Sequence, residues 1–102
     1  MARLSKSEFV SLMERGWKHL GYVRHMFSQN KHGGSPGTRR SWTRACAIGA
    51  AAYAAGVKPE NVYIWASSTV PDGYWNRITT ASNDAGSRAK AIAAVKCELR
   101  VR

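Results

Sequence analysis

Five basic side chains crowd one Gly-rich stretch of the chain: Lys31, His32, Arg39, Arg40 and Arg44. Between them lie Gly33, Gly34, Pro36 and Gly37, which punctuate a chain rather than extend a helix or strand. Guanidinium and ammonium groups beside the hydroxyls of Thr38 and Ser41 suit the binding of phosphate oxygens. The stretch leads into a segment expected to be helical, and a helix N-terminus adds free amides and a partial positive charge. Trp42, if turned outward, offers a face on which a base can stack, with Tyr22 or Phe27 extending the platform. Arg88, Lys90, Lys96, Arg100 and Arg102 make a second basic strip near the C-terminus. The plainer alternative is a solvated basic face that aids solubility.

Other chemistry is thinner. Gly34-Ser35-Pro36-Gly37 has the Gly-x-x-Gly form of the KH loop but lacks the strands that should surround it, and no Gly-Lys-Ser/Thr follows at P-loop spacing. A helix-turn-helix pair needs a short turn, whereas about 20 residues separate the first two expected helices. Cys46, with His19, His25 or His32 as base and Asn83 as orienter, would compose a cysteine nucleophile; as a small residue in line with Trp42, Gly49 and Tyr53 it reads better as core. The histidines are spaced six and seven residues apart, unsuited to one helical face as metal ligands. Asn83 and Asp84 read as helix caps. Trp65, Tyr74 and Trp75 flank a Pro71-Asp72-Gly73 turn, and any left exposed would mark a contact surface. No catalytic residues, metal or small-molecule cofactor are expected.

Sixteen Lys and Arg against six Asp and Glu give the 102-residue chain a net charge of +10. Residues 1–44 contribute +7 of it and residues 45–102 the remaining +3. Such an excess favours an acidic partner, either DNA or RNA or an acidic protein. Leu, Ile, Val and Phe number just 17, and 15 alanines dilute the apolar share, so the core must draw on four Trp, four Tyr and three Met. Two cysteines 51 residues apart make neither a disulfide framework nor a zinc module, which suggests a reduced, cytoplasmic setting. No secretory signal is expected, and the Ala/Gly-rich run Ala45 to Gly56 is too short to cross a bilayer, so no membrane partner is expected.

The elements that must position these residues follow from periodicity and caps. Ser5 and Glu8 have capping-box spacing, opening a first helix that should reach about Leu20 with Phe9, Val10, Met13, Trp17 and Leu20 on one stripe and Gly21 as its stop. Gly16 inside it should cost about 1 kcal/mol. Tyr22 to Phe27 has no clear type, and about 28–40 is expected to be a flexible loop. Ser41 should cap a second helix from Trp42 to about Ala55, closed by Gly56; apolar on every face beyond Arg44, it should be the central element. Val62-Tyr63-Ile64-Trp65 and Ile78-Thr79-Thr80 around the Pro-Asp-Gly turn predict a β-hairpin over about 62–80, with a helix from Pro59 as competitor. A last helix should start near Asn83-Asp84 and reach about Leu99, with Ile92, Val95 and Leu99 inward.

Four short patterns appear in order: Gly16-Trp17, Cys46-Ala47-Ile48-Gly49-Ala50, Ser82-Asn83-Asp84, and an amphipathic helix opening near Ser87. Together they resemble an uncharacterised family of small bacterial and phage proteins with Gly-Trp, Cys-x-x-Gly-Ala and Asn-Asp motifs. Ser82 departs from the large apolar residue expected before Asn-Asp, and the middle segment is short. The resemblance implies a mainly helical single domain and no known activity.

The expectations are therefore a single, mainly α basic domain spanning 1–102, with three to four helices around a central Ala/Gly-rich helix and a hairpin at about 62–80. The expected function is non-enzymatic binding of nucleic acid through phosphate contacts, as in a phage-type regulator. The alternative is an inhibitor or adaptor docking its basic surface on an acidic protein.

Overall fold

A computed structural model describes residues 3–101. Helix α1, Lys6–Trp17, opens on the capping box as expected: the Ser5 hydroxyl accepts from the Glu8 amide at 3.1 Å, and the Ser5 amide donates to Glu8 Oε1 at 2.8 Å. Its stripe of Phe9, Val10, Met13 and Trp17 is buried. The helix stops at Trp17, short of Leu20, because the chain turns there to begin strand β1, Gly21–Tyr22.

Strand β1 pairs in parallel with β2, Arg44–Ala45. This pairing corrects the expected start of the second helix. Residues 42–45 are drawn out of helix because they serve the ladder: Thr43 donates to the Gln29 carbonyl at 2.9 Å, and Gln29 and Arg44 exchange backbone bonds in an antiparallel bridge. An aromatic and a β-branched residue, Trp42 and Thr43, accept that extended path readily. Helix α2 is consequently Ala47–Ala54, with Cys46 in the cap position and Ser41 well outside it.

The reading of α2 as the central element holds. Ala47, Ile48, Gly49, Ala50, Ala51 and Ala52 are all buried, and α2 packs on α1 and on every later helix. Small side chains allow this crowding. A Cβ placed on Gly49 would fall 1.7 Å from the Phe27 carbonyl oxygen.

The hairpin expected over 62–80 does not form. A 3-10 turn, Pro59–Asn61, feeds helix α3, Val62–Thr69, and a Pro-Asp-Gly turn leads to α4, Trp75–Ala85. Proline at the first position preorganises a helical start, and Val62, Ala66 and Thr69 then fall on one buried face at helical spacing. Tertiary burial overrides the strand preference of Val62 to Trp65. The described residues thus form five α-helices where three to four were expected, the surplus coming from this segment.

The last helix is also displaced. Asn83 and Asp84 belong to the end of α4, which stops at Gly86 in the left-handed region with φ 87°, where glycine costs nothing. Helix α5, Arg88–Leu99, starts afresh with Ser87 accepting from the Lys90 amide at 3.3 Å. Ala91, Val95 and Leu99 face the core, with Ile92 half-buried. The result is a mainly α domain with one two-stranded parallel sheet. No helix among the described residues is long and apolar enough to cross a membrane.

Candidate nucleic-acid interface

The Gly-rich stretch folds around Asn30. Its Oδ1 accepts from the amides of His32 at 2.9 Å and Gly34 at 3.0 Å, and its own amide donates to the Gly34 carbonyl at 2.8 Å, with Gly33 in the left-handed region. Farther along, Thr38 and Ser41 tie the other limb through mutual side-chain and backbone hydrogen bonds. Gln29 fastens the first limb to Thr43 and Arg44. These local bonds leave Lys31, His32, Gly33, Gly34 and Arg40 exposed at the surface.

Between the limbs is a cavity of about 380 Å³ lined by Asn30, Lys31, His32, Thr38, Arg40, Ser41 and Thr43. The lining holds two cationic side chains, an imidazole, three hydroxyls and an amide, and no carboxylate. Thr38 also lines a neighbouring cavity of about 320 Å³ with Arg39, Lys58, Pro59 and Glu60. Lys58 thereby joins the same edge of the molecule. Sequence reading missed it because the 3-10 turn, not chain proximity, carries it there.

Several expected site residues are otherwise engaged. Arg39 lies with its guanidinium carbon 4.1 Å from the Tyr53 ring centroid and donates to the Val57 carbonyl at 3.0 Å. Trp42 is 3% exposed, edge-on to Tyr53, with its indole N–H donating to the Arg44 carbonyl at 3.0 Å. A buried indole offers no face to a base, so the stacking role for Trp42 is corrected to a core role. Tyr22 and Phe27 are half-buried: the Tyr22 hydroxyl donates to the Ser82 carbonyl, and Phe27 packs edge-on against Trp75. Arg44 is exposed, with a guanidinium N–H 3.2 Å from Gln29 Oε1.

Arg88 is tied more firmly. Its Nη1 donates to the carbonyls of Trp17 at 2.6 Å and Leu20 at 3.2 Å, satisfying the free C-terminal end of α1. It closes a helix with one guanidinium nitrogen while the residue itself is exposed. Lys90 is exposed on α5; Lys96 pairs with Glu14 at 3.5 Å, and Arg102 lies outside the described residues. Of the expected second strip, Arg88, Lys90 and Arg100 are exposed and Lys96 is paired.

The helix-terminus argument for phosphate binding is also corrected. The N-terminus of α2 is buried: the Ala47 amide donates to the Ser82 hydroxyl at 3.0 Å, and the Cys46 amide to the Met26 carbonyl at 3.0 Å. Ser82, polar and fully buried, does from α4 what Ser41 was expected to do from the loop. Asn83, expected as a helix cap, instead accepts from the His25 amide at 2.9 Å, holding His25 at a φ of 61°.

Cys46 is 5% exposed, and its burial pushes the thiol above its ordinary range, against formation of a thiolate. Of the aromatic residues near the Pro-Asp-Gly turn, Trp65, Tyr74 and Trp75 are half-buried. Among the described residues the exposed large apolar side chains are instead Tyr63 and Ile64, at 63% and 71%. A strand over this segment would not place both side chains outward, whereas α3 does.

Compared with family models, curated protein sequences and solved structures, the chain shows no significant match. The geometry defines a small, mainly α basic domain whose carboxylate-free loop cavity is its candidate site.

Proposed function

We propose that this protein binds nucleic acid mainly through phosphate contacts, using the cavity between the limbs of the Asn30 loop. The observation that carries the reading is the cavity's lining: Lys31, His32 and Arg40 among hydroxyl groups, with no acidic side chain. Phosphate oxygens would take charge-assisted hydrogen bonds from Lys31 and Arg40 and neutral ones from Thr38, Ser41 and Thr43. Lys58 lines the neighbouring cavity, where Glu60 accompanies it, and Arg44 is exposed on β2. The overall charge of +10 would draw a polyanion in from a distance, at a rate that falls with salt. That charge is what remains after six carboxylates are counted against sixteen Lys and Arg.

Fluorescence anisotropy with duplex and single-stranded DNA and RNA over a salt series tests this. Each duplex phosphate neutralised contributes about −0.9 to the slope of log affinity against log salt, so a site of three or four cations gives roughly −3. Lys31→Glu with Arg40→Glu should abolish binding. No binding at low salt, or an unchanged slope in the double variant, overturns the proposal.

One observation favours the alternative of docking on an acidic protein: the exposed pair Tyr63 and Ile64, whose apolar surface has no use in phosphate contact. Under that reading Ile64→Asp weakens association, while nuclease treatment leaves it intact.

A further inference from the structure

Helix α3 carries a surface unlike the rest of this basic chain. From Asn61 to Pro71 no residue is charged, and Tyr63 and Ile64 stand out from it, 63% and 71% exposed. The Tyr63 ring is braced. Its centroid lies 6.0 Å from that of Trp75, with the ring planes at 81°, and 6.5 Å from that of Phe27, while Phe27 and Trp75 meet edge-on at 6.1 Å. Two half-buried rings thus steady a third that stays mostly in solvent, which leaves less rotamer freedom to lose when a ligand covers it.

The chain itself holds this aromatic cluster beside the loop cavity. Phe27 precedes Asn30, a lining residue of that cavity, by three positions, so their Cα atoms are at most about 11 Å apart. On the other side, Tyr63 follows Glu60 by three positions, and Glu60 lines the neighbouring cavity with Thr38, which is common to both cavities. The segment Phe27-Ser28-Gln29-Asn30 brings no carboxylate between ring and cavity, and Glu60 shares its cavity with Lys58.

Charge narrows what can cover the Tyr63 ring. A second copy of this chain would bring another +10 against a helix that has no carboxylate to offset it. A duplex has phosphates for the cavity but keeps its bases inside the stack, where the ring cannot lie against one. A single strand has both parts, phosphates for the cations and free base faces for an aromatic ring.

We propose that Tyr63, braced by Phe27 and Trp75, stacks on a base of a single-stranded nucleic acid whose neighbouring phosphates occupy the loop cavity. The inference rests on the phosphate-binding reading of that cavity and adds a base contact that a duplex does not make. Ile64 widens the apolar surface beside the ring. Every base has a face to stack, so the contact selects strand type rather than sequence.

The test measures fluorescence anisotropy at low salt with three ligands of equal length, each in DNA and RNA form: a single strand of mixed sequence, the same backbone made wholly of abasic residues, and the duplex. The intact strand should bind about tenfold more tightly than the abasic one, since the two carry the same phosphates. Tyr63→Ala should remove that tenfold gain while leaving the affinities of the abasic strand and the duplex, and the thermal midpoint, unchanged. Tyr63→Phe, which keeps the ring, should retain the gain. Lys31→Glu with Arg40→Glu should weaken all three ligands. An intact strand that binds no better than the abasic one, or that ignores Tyr63→Ala, overturns the stacking role while the cavity reading stands, and leaves Tyr63 and Ile64 to an acidic protein. Absence of binding by all three ligands overturns the cavity reading and this inference together.

Discussion

Gly16 of α1 rests directly on the Ala50 carbonyl of α2, so closely that a Cβ on Gly16 would fall 1.8 Å from that oxygen. The contact joins the element with the largest buried side chains to the one with the smallest, and it makes glycine a requirement where helix propensity alone counts it a fault. Gly16→Ala should therefore destabilise the fold by about 3 kcal/mol or more through backbone overlap, although the same change stabilises an isolated helix by about 1 kcal/mol. Urea unfolding decides between the two signs.

Arg88 and Arg40 should separate stability from binding. Arg88→Gln removes charge-assisted hydrogen bonds to the Trp17 and Leu20 carbonyls and should cost about 1–2 kcal/mol, seen as a lower thermal midpoint, with the salt slope of nucleic-acid binding unchanged. Arg40→Glu should leave the midpoint nearly unchanged and reduce affinity. A reversed pattern would exchange the roles assigned to the two arginines.

The two thiols should react very differently. Cys97 is exposed, whereas Cys46 is buried and its thiol is pushed up by desolvation. A thiol reagent applied to the native protein should modify one cysteine quickly and the second only on unfolding, and Cys97→Ser should remove the fast phase. Rapid modification of native Cys46 would contradict its place in the core.

The capping box should give a defined acid response. The Ser5 amide, then the Ser5 hydroxyl, hold the Glu8 carboxyl below its ordinary value, so the folded state binds that proton less readily than the unfolded state. The stabilisation is then complete above the unfolded carboxylate range and fades as pH falls through the lower folded value. Glu8→Gln should be less stable than the parent chain near neutral pH, with the gap narrowing in acid. Ser5→Ala should cost about 1 kcal/mol near neutral pH. Unfolding curves at several pH values measure both.

Local signals in the sequence reached as far as local forces do. The Ser5–Glu8 box, the apolar stripe from Phe9 to Trp17 and the all-apolar character of Ala47 to Ala52 identify α1 and a central helix because each signal acts within a turn or two of its own residues. The charge of +10, and its concentration before residue 45, likewise follow from composition alone. Lys31, His32 and Arg40 do surround one cavity because a short loop keeps chain neighbours together.

Tertiary structure decided what depends on partners remote in sequence. Arg44 and Ala45 leave the helix to pair with Gly21–Tyr22, a gain no local propensity contains. Val62 to Trp65 become helix because burial of Val62, Ala66 and Thr69 outweighs a strand preference worth about 1 kcal/mol at most. Arg39 and Arg88 are spent on carbonyls 18 and 71 residues away, so an arginine's availability to a ligand is a property of the folded chain. The placing of Lys6 over the Tyr74 ring has the same origin: composition counts charges, and packing alone determines which of them meet.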